Sequence, residues 1–194
     1  MTGNEPADRR VRRTRRALRE ALVALIVERG YEKVTVQDVL DRADVGRSTF
    51  YAHYRDKDDL FRSCFDDLRA ELEHDLAAVA GGPPPDPTRP VGVLFEHAYR
   101  NQRVYQALCG RSGETAGTRH LQRLVLDALR AHLTPVGLRL PVDVVAEYLA
   151  GALLGVLVWW VRQGFPQPPA EIARTVQQMA TPSVMAAFGP DTPG

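Results

Sequence analysis

The chain has 194 residues, of which 44% are hydrophobic and 25% are charged, and its net charge is +1. This composition provides enough apolar side chains for one ordinary globular domain or two small ones, and the total charge indicates no particular partner. The only two cysteines, Cys64 and Cys109, stand far apart in the sequence and neither belongs to a C-x-x-C, which argues against a disulfide framework and against a zinc site. No signal-peptide pattern is found, so we expect a cytoplasmic protein.

Positive charge is concentrated near the start of the chain. Residues 1–62 carry 14 Lys and Arg against 11 Asp and Glu, whereas the remainder carries 11 against 13. The run "RRVRRTRRALR" (Arg9 to Arg19) contains seven arginines and no acidic residue. Such a run is typical of a segment that contacts a phosphate backbone, and equally of a solvated, partly disordered terminus.

Apolar residues recur with helical spacing through the first 80 residues. A stripe from Leu18 to Ile26 predicts a helix that stops at Gly30. A second helix follows Thr35, which is a plausible N-cap. A short helix at Arg47–Tyr54 and a long helix at Lys57–Ala80 come next.

The later part of the chain is also helical in pattern. The segment "GGPPPDPTRP" (Gly81 to Pro90), with five prolines and two glycines, predicts a stiff surface connection. Beyond it, helices are predicted at Val91–Cys109, Thr118–Leu133, Asp143–Arg162 and Ala170–Ala180, with a last turn near Ser183–Phe188. The apolar run Tyr148–Val161 has 14 residues, fewer than the roughly 20 that cross a bilayer, so we predict a buried core helix and no membrane partner. No strand pattern occurs, and the predicted fold class is all-α.

The short helix at Arg47–Tyr54 has two chemically different sides. At 100° per residue, Phe50 and Tyr54 fall together, where they can anchor the helix onto the preceding apolar stripes. The other side carries small and polar groups that a partner can approach closely. A helix, a turn with glycine and a second short helix form a helix-turn-helix, whose second helix fits the major groove of DNA.

The candidate DNA contacts form two sets. Arg47, Ser48 and Thr49, at the start of the short helix, can reach base edges, and Tyr51, His53 and Lys57 can donate hydrogen bonds to phosphates. The alternatives are that Tyr51 faces the core and that His53 is an idle, exposed side chain.

The segment "GYEKVTVQDVLDRADVGRSTFYAHYRDKDDLF" (Gly30 to Phe61) resembles the DNA-binding signature of the tetracycline-repressor (TetR) family of transcription regulators. The shared features are the G-Y-x-x-x-T-V opening, the A-x-V turn, the S-T-F-Y helix and the K-x-x-L start of the fourth helix. The resemblance departs at Asp44, where the family most often has glycine.

This resemblance implies an all-helical homodimer. It places a three-helix DNA-binding domain at residues 12–56 and a helical effector-binding and dimerisation domain at residues 57–190. It also places Thr35 and Gln37 near a phosphate and a base edge, with a purely capping role as the alternative for Thr35.

The C-terminal half contains candidates for two further surfaces. Gly151 and Gly155 form a G-x-x-x-G, which lets a second helix approach closely. The resemblance implies a dimer interface on the last two long helices, with Gly151, Gly155, Ile172 and Val176 as candidates; internal packing of the glycines is the alternative. A mostly apolar effector pocket is predicted, with plain core packing as the alternative, from Phe95, Tyr99, Tyr105, Cys109, Tyr148, Trp159 and Trp160.

We therefore predict a DNA-binding regulator, a ligand-responsive repressor that binds a palindromic operator as a homodimer. The C-terminal "WW…G…P…EIA" pattern resembles a subgroup typified by a dihydroxyacetone-kinase activator, so a coactivator that works through a protein partner is the alternative. No catalytic or phosphate-binding motif is present, so no enzyme activity is expected. No cofactor is expected, and His97, His120 and His132 lack the spacing of metal ligands.

Overall fold

The computed structural model describes residues 5–80, 88–109, 116–134 and 138–188. These residues form α-helices, one short 3-10 helix and connecting turns, and no strand occurs among them, which confirms the predicted all-α class. The chain divides into two compact units, residues 1–68 and residues 69–194. Most of the predicted proline-rich connection, residues 81–87, lies outside the described residues.

The first unit is a small helical bundle. It consists of α1 (Glu5–Arg29), η1 (Tyr31–Lys33), α2 (Val36–Ala43), α3 (Arg47–Tyr51) and the first half of α4 (Lys57–Ala80). The predicted apolar stripe of α1 is confirmed, because Leu18, Leu22 and Leu25 are fully buried. The arginine-rich run is helical and belongs to α1, where Arg19 is paired with Asp67.

The second unit is a helical bundle around α8. It contains the end of α4 together with α5 (Arg89–Arg100), α6 (Gln102–Cys109), α7 (Ala116–Leu133), α8 (Val142–Arg162) and α9 (Pro169–Phe188). Helix α8 packs against α6, α7 and α9, and α9 also packs against α5. The inner side of α8 is core, since Leu157 and Trp160 are fully buried.

By length and composition alone, α8 is long and apolar enough to cross a membrane, and among the described helices it is alone in this. Of its most apolar stretch of 18 residues, 44% is buried within the protein. The helix extends beyond the apolar run that predicted it, because Val142 and Arg162 at its two ends are also helical. The predicted core helix is confirmed on its inner side.

Three predicted boundaries are wrong by more than two residues. The short helix predicted at Arg47–Tyr54 ends at Tyr51, because the chain tightens there and the N–H of His53 bonds to the carbonyl of Phe50 three residues earlier (2.9 Å). The helix predicted at Val91–Cys109 is interrupted at Asn101, where the side-chain amide donates to the carbonyl of His97 (3.2 Å) and competes with the helical backbone. The break predicted after Ala180 is absent, because α9 continues through Pro182. A proline inside a helix costs one backbone hydrogen bond, but Val184 and Ala187 beyond it are 3% and 1% exposed, and their packing offsets that loss.

A buried histidine on α5 gives the second unit a pH-dependent stability. His97 is fully buried, its Nδ1 lies 3.1 Å from the Tyr105 hydroxyl, and its Nε2 has no hydrogen-bond partner among the described residues. Burial lowers the pKa of His97 to about 4; the nearby Asp75 carboxylate opposes this shift, and Arg100 adds to it. The imidazole is therefore neutral in the folded protein near neutral pH.

We expect the free energy of unfolding to decrease as the pH falls from about 6.5 to about 4. In this range the unfolded chain takes up a proton on His97 that the folded protein does not bind. Urea unfolding at pH 7 and pH 5 measures the effect, and His97→Gln is expected to reduce this part of the pH dependence. The exposed His74→Gln serves as the control and leaves it unchanged. An identical pH dependence in wild type and His97→Gln would contradict the expectation.

Candidate nucleic-acid interface

Helix α2 begins with a capping box. The Thr35 hydroxyl accepts from the backbone N–H of Asp38 (3.2 Å), and the Asp38 carboxylate accepts from the backbone N–H of Thr35 (2.8 Å). The Thr35 hydroxyl also donates to the Asp38 carboxylate (2.6 Å). This bond, followed by the one from the Thr35 backbone N–H and the ion pair with Arg29, lowers the pKa of Asp38. The predicted N-cap role of Thr35 is confirmed, and it fixes where α2 starts. A contact of Thr35 with phosphate stays a prediction.

The turn between α2 and α3 requires a left-handed backbone conformation at position 44, and Asp44 adopts it. Asp44 has φ 52° and ψ 49°, the left-handed conformation, and its N–H donates to the carbonyl of Leu40. Aspartate is one of the few residues other than glycine that visit this region routinely. The departure at Asp44 therefore leaves a turn that ends α2 and leads through Val45 and Gly46 into α3.

Helix α3 is held by one side and exposes the other. Phe50 is fully buried and Tyr54 is 5% exposed, so the predicted anchors are confirmed. Tyr51 is 53% exposed, with its ring against the edge of Phe50, so it does not face the core. The remaining predicted contacts on this segment are the exposed Arg47, Ser48 and Thr49 and the half-buried His53.

A chain of hydrogen bonds links the predicted residues of α2 and α3. The Arg47 guanidinium donates through Nη2 to Oε1 of Gln37 (2.9 Å). The Nε2 of Gln37 donates to Oδ1 of Asp41 (2.8 Å). Asp41 was not among the predicted site residues. The signal was present in the sequence, because Gln37 and Asp41 have the i, i+4 spacing at which helical side chains meet.

Lys57, predicted as a phosphate contact, is half-buried at the start of α4. Its ammonium donates to the carbonyls of Tyr31 (3.0 Å) and Val34 (2.8 Å) and lies 4.0 Å from the centroid of the Tyr31 ring. These bonds tie η1 and the start of α2 to α4. A contact of Lys57 with phosphate stays a prediction, alongside this structural role.

We expect Lys57→Ala to lower the free energy of unfolding by about 1.5–3 kcal/mol, the usual contribution of a hydrogen bond made by a charged group. The variant is also expected to bind all DNA sequences more weakly, because η1 and α2 lose their attachment. The exposed Lys33→Ala removes the same charge nearby and serves as the control. Thermal unfolding of both variants measures the difference, and equal midpoints would mean that Lys57 stabilises nothing.

The second unit encloses an apolar cavity of about 70 Å³. It lies between the end of α4 and helices α5, α7, α8 and α9. Polar groups at its lining come from Thr88 and His132. The apolar lining includes Leu72, Leu76, Val91, Leu94, Val125, Leu149, Leu153 and Val184.

None of the residues predicted to line a pocket lies on this cavity. Phe95, Tyr105 and Cys109 are buried elsewhere in the core, and burial raises the pKa of the Cys109 thiol to about 12. Tyr99, Tyr148 and Trp159 are 40%, 61% and 45% exposed. Trp160 is buried against Phe95 and Phe165. Among the described residues, no group of three or more His, Cys, Asp or Glu side chains is placed to hold a metal ion.

The outer side of α8 carries an apolar stripe, which we call the α8 stripe and which contains Val144, Tyr148, Gly151, Ala152, Gly155 and Trp159. No described atom lies within 4 Å of a Cβ built at Gly151 or Gly155, so packing within the subunit does not require either glycine. Ile172 and Val176, the other predicted interface residues, are 6% and 4% exposed. They are core residues of α9 and leave little surface for a second subunit.

An anchored second helix with an exposed polar side, preceded by a capped helix and a tight turn, defines a helix-turn-helix DNA-binding protein. The family model described as "Bacterial regulatory proteins, tetR family" matches residues 18–64, and that described as "Transcriptional regulator C-terminal region" matches residues 91–182. The chain belongs to the TetR family of bacterial regulatory proteins. Both matched regions are regions of bacterial transcriptional regulators, and the first is the helix-turn-helix DNA-binding region.

One curated relative is the HTH-type transcriptional regulator YxbF of Bacillus subtilis strain 168. It is 26% identical over 182 residues, which are 88% of this chain. The match spans 45% of that protein, so this chain corresponds to about half the length of its curated relative.

Solved structures share the fold. A TetR transcriptional regulator from Streptococcus agalactiae has a TM-score of 0.67 and 25% identity, over 89% of this chain and 96% of that one. A TetR-family regulator from Syntrophomonas wolfei has a TM-score of 0.75 and 17% identity, over 94% and 99%. The dihydroxyacetone kinase operon activator DhaS has a TM-score of 0.61 and 16% identity, over 91% and 98%, and shows the fold alone.

Proposed function

We propose that this protein is a ligand-responsive transcriptional repressor that binds a palindromic operator as a homodimer. The observation that carries the proposal is the two-sided helix α3. Phe50 and Tyr54 fix it to the core, while Arg47, Ser48 and Thr49 point away from the protein. A helix held in this way can enter the major groove, with its first side chains toward the base edges.

Two further side chains at the end of α3, the exposed Tyr51 and the half-buried His53, suit contacts with phosphates. Tyr51 can donate its hydroxyl, and His53 lies one turn beyond Thr49 on the same segment. The DNA-binding domain is proposed at residues 12–56, and the effector-binding and dimerisation domain at residues 57–190. The first compact unit extends to residue 68, so it includes the first part of α4 beyond the proposed DNA-binding domain.

The α8 stripe is proposed as the dimer interface. It exposes the large hydrophobic side chains of Val144, Tyr148 and Trp159, and its two glycines offer room for a second helix. The Tyr148 hydroxyl lies 3.4 Å from the Ser183 hydroxyl on α9, so the two helices form one continuous surface. A dimer formed here would carry two copies of α3, and dimeric helix-turn-helix proteins bind half-sites about 34–36 Å apart.

The apolar cavity of the second unit is the proposed effector site. Its lining suits a small apolar ligand, and His132 and Thr88 provide polar groups to orient it. Such a ligand releases the operator if it binds better when the two α3 helices have the wrong spacing for DNA. A difference of about 1–3 kcal/mol in binding free energy is sufficient for an ordinary allosteric response.

We also propose that the C-terminal region resembles the subgroup typified by the dihydroxyacetone kinase operon activator DhaS. The fold is shared with DhaS, and Trp159, Trp160, Glu171 and Ile172 belong to the pattern that resembles its subgroup. The alternative of a coactivator without DNA binding is less well supported, because the helix-turn-helix matches its family over residues 18–64. We propose a cytoplasmic protein that needs neither a cofactor nor a membrane partner.

Salt dependence of DNA binding tests the proposal. The protein is titrated onto a fluorescent mixed-sequence duplex at several salt concentrations. A regulator that contacts phosphates gives a slope of log affinity against log salt of about −0.9 for each phosphate neutralised. Binding that does not depend on salt, or no binding at low salt, would support the coactivator instead.

A further inference from the structure

We propose that Asp41 and Gln37 form a positioning chain that holds the Arg47 guanidinium ready to read a guanine, and that Gln37 itself reads no base. This inference rests on the proposed function, because it assigns roles within the same DNA-binding site. It goes beyond that function by adding Asp41 as a specificity-determining residue. It also replaces the expectation that Gln37 lies against a base edge.

The chemistry of the three side chains fixes the direction of the chain. A carboxylate such as that of Asp41 only accepts hydrogen bonds, and a guanidinium such as that of Arg47 only donates them. The amide of Gln37 lies between them, 2.8 Å from Asp41 and 2.9 Å from Arg47. Its NH2 group must therefore face Asp41 and its oxygen must face Arg47, since the reverse orientation would leave both bonds unmade.

The backbone beneath the chain is rigid. Gln37 and Asp41 lie one turn apart on α2, whose opposite side is buried through Val39 and Leu40. Arg47 is the first residue of α3, which is anchored by Phe50. The long Arg47 side chain is thus restrained before DNA arrives, so less of its rotational freedom remains to be lost on binding.

This arrangement favours reading of a guanine by Arg47 over reading of an adenine by Gln37. A glutamine that reads adenine uses both its amide oxygen and its NH2 group, and in Gln37 each of them already makes one hydrogen bond within the chain of side chains. Arg47 uses one N–H for Gln37 and keeps other donors of its five. A guanidinium presents those donors well to the O6 and N7 atoms of guanine in the major groove.

The test compares five single variants of the 194-residue chain on DNA selected by the unaltered chain. The base pair read by Arg47 is identified as the one at which Arg47→Ala loses its preference. At that pair, Asp41→Ala is expected to reduce the preference for guanine by roughly three- to tenfold, because Gln37 loses the partner that orients it and holds Arg47 less firmly. Asp41→Asn keeps an acceptor for Gln37 and is expected to keep the preference within about twofold.

Asp44→Asn is the matched control for charge. It removes the same negative charge from the neighbouring turn, and asparagine tolerates the left-handed conformation of position 44. It is expected to raise affinity for all sequences slightly and to leave base preference unchanged. All variants are compared by their thermal midpoints, and alanine at position 41 suits a helix interior.

A variant at position 37 tests the role of Gln37 separately. Gln37→Met removes the amide at similar size and is expected to weaken the guanine preference at the same base pair as Asp41→Ala. Loss of an adenine preference at a different base pair would overturn the inference, as would an unchanged guanine preference in Asp41→Ala. Failure of the wild type to select any DNA would instead overturn the proposed function, and this inference with it.

Discussion

Replacing Phe50 by alanine is expected to destabilise the first unit by about 3–5 kcal/mol and to abolish binding to every DNA sequence. Phe50 is fully buried and contacts the rings of Tyr51 and Tyr54, at centroid distances of 5.3 Å and 5.9 Å. Helix α3 has five residues and is too short to be stable alone in water. Without Phe50, the remaining anchor Tyr54 is not expected to hold the exposed side of α3 in the orientation that DNA requires.

The neighbouring tyrosine provides the control for this experiment. Tyr51 is 53% exposed, so Tyr51→Ala is expected to change the thermal midpoint little while weakening DNA binding through a lost phosphate contact. Phe50→Leu, which refills much of the cavity, is expected to recover part of the stability. Equal midpoints for Phe50→Ala and wild type would show that α3 is not anchored as described.

If the α8 stripe is the dimer interface, as proposed, Gly155→Leu is expected to yield a monomer and to reduce operator affinity toward the non-specific range of about 10⁻⁴–10⁻⁶ M. Within the subunit a Cβ at this position meets no described atom within 4 Å, so the fold accepts the side chain. Replacing a glycine inside a helix is expected to stabilise the helix by about 0.5–1 kcal/mol. A loss of binding would therefore come from the blocked approach of the second subunit.

Mass measurement in solution, together with operator binding, decides this prediction. Ala70→Leu adds the same side chain at an exposed position of α4, and this control is expected to remain a dimer with full affinity. If Gly155→Leu also remained a dimer, the α8 stripe would not be the interface, and the dimer proposal would have to move to another surface.

Much of the first unit could be predicted because its pattern is local. The spacing of Phe50 and Tyr54 identified the buried side of α3, and Thr35 identified the start of α2. The bounds predicted for α4, Lys57 to Ala80, are those observed. In each case the periodicity of apolar residues or a cap at a helix end decides the outcome within a few residues of sequence.

The features that could not be predicted depend on partners distant in sequence. The ammonium of Lys57 bonds to carbonyls of Tyr31 and Val34, more than 20 residues earlier in the chain. The continuation of α9 through Pro182 depends on buried contacts of residues beyond it. Local propensity is overridden in such places by tertiary packing, which the sequence pattern does not contain.

The position of the cavity could not be predicted from the sequence either. Aromatic residues such as Tyr105 were predicted to line a pocket, but Tyr105 is buried in the core. The cavity is lined by aliphatic residues such as Leu94 and Leu149. Helical spacing identifies which residues turn inward. It does not show where inward-facing side chains leave space, since that depends on how several helices meet.

The most direct test of the account is the selection of bound fragments from a random DNA pool by the purified protein, repeated at two salt concentrations. We expect recovery of a near-palindromic site whose two half-sites are about one helical turn apart, retained more weakly at the higher salt. Such a site would also provide the operator on which effectors and variants are compared. Recovery of no common sequence, with all retention lost at modest salt, would contradict the account and direct the search to a protein partner.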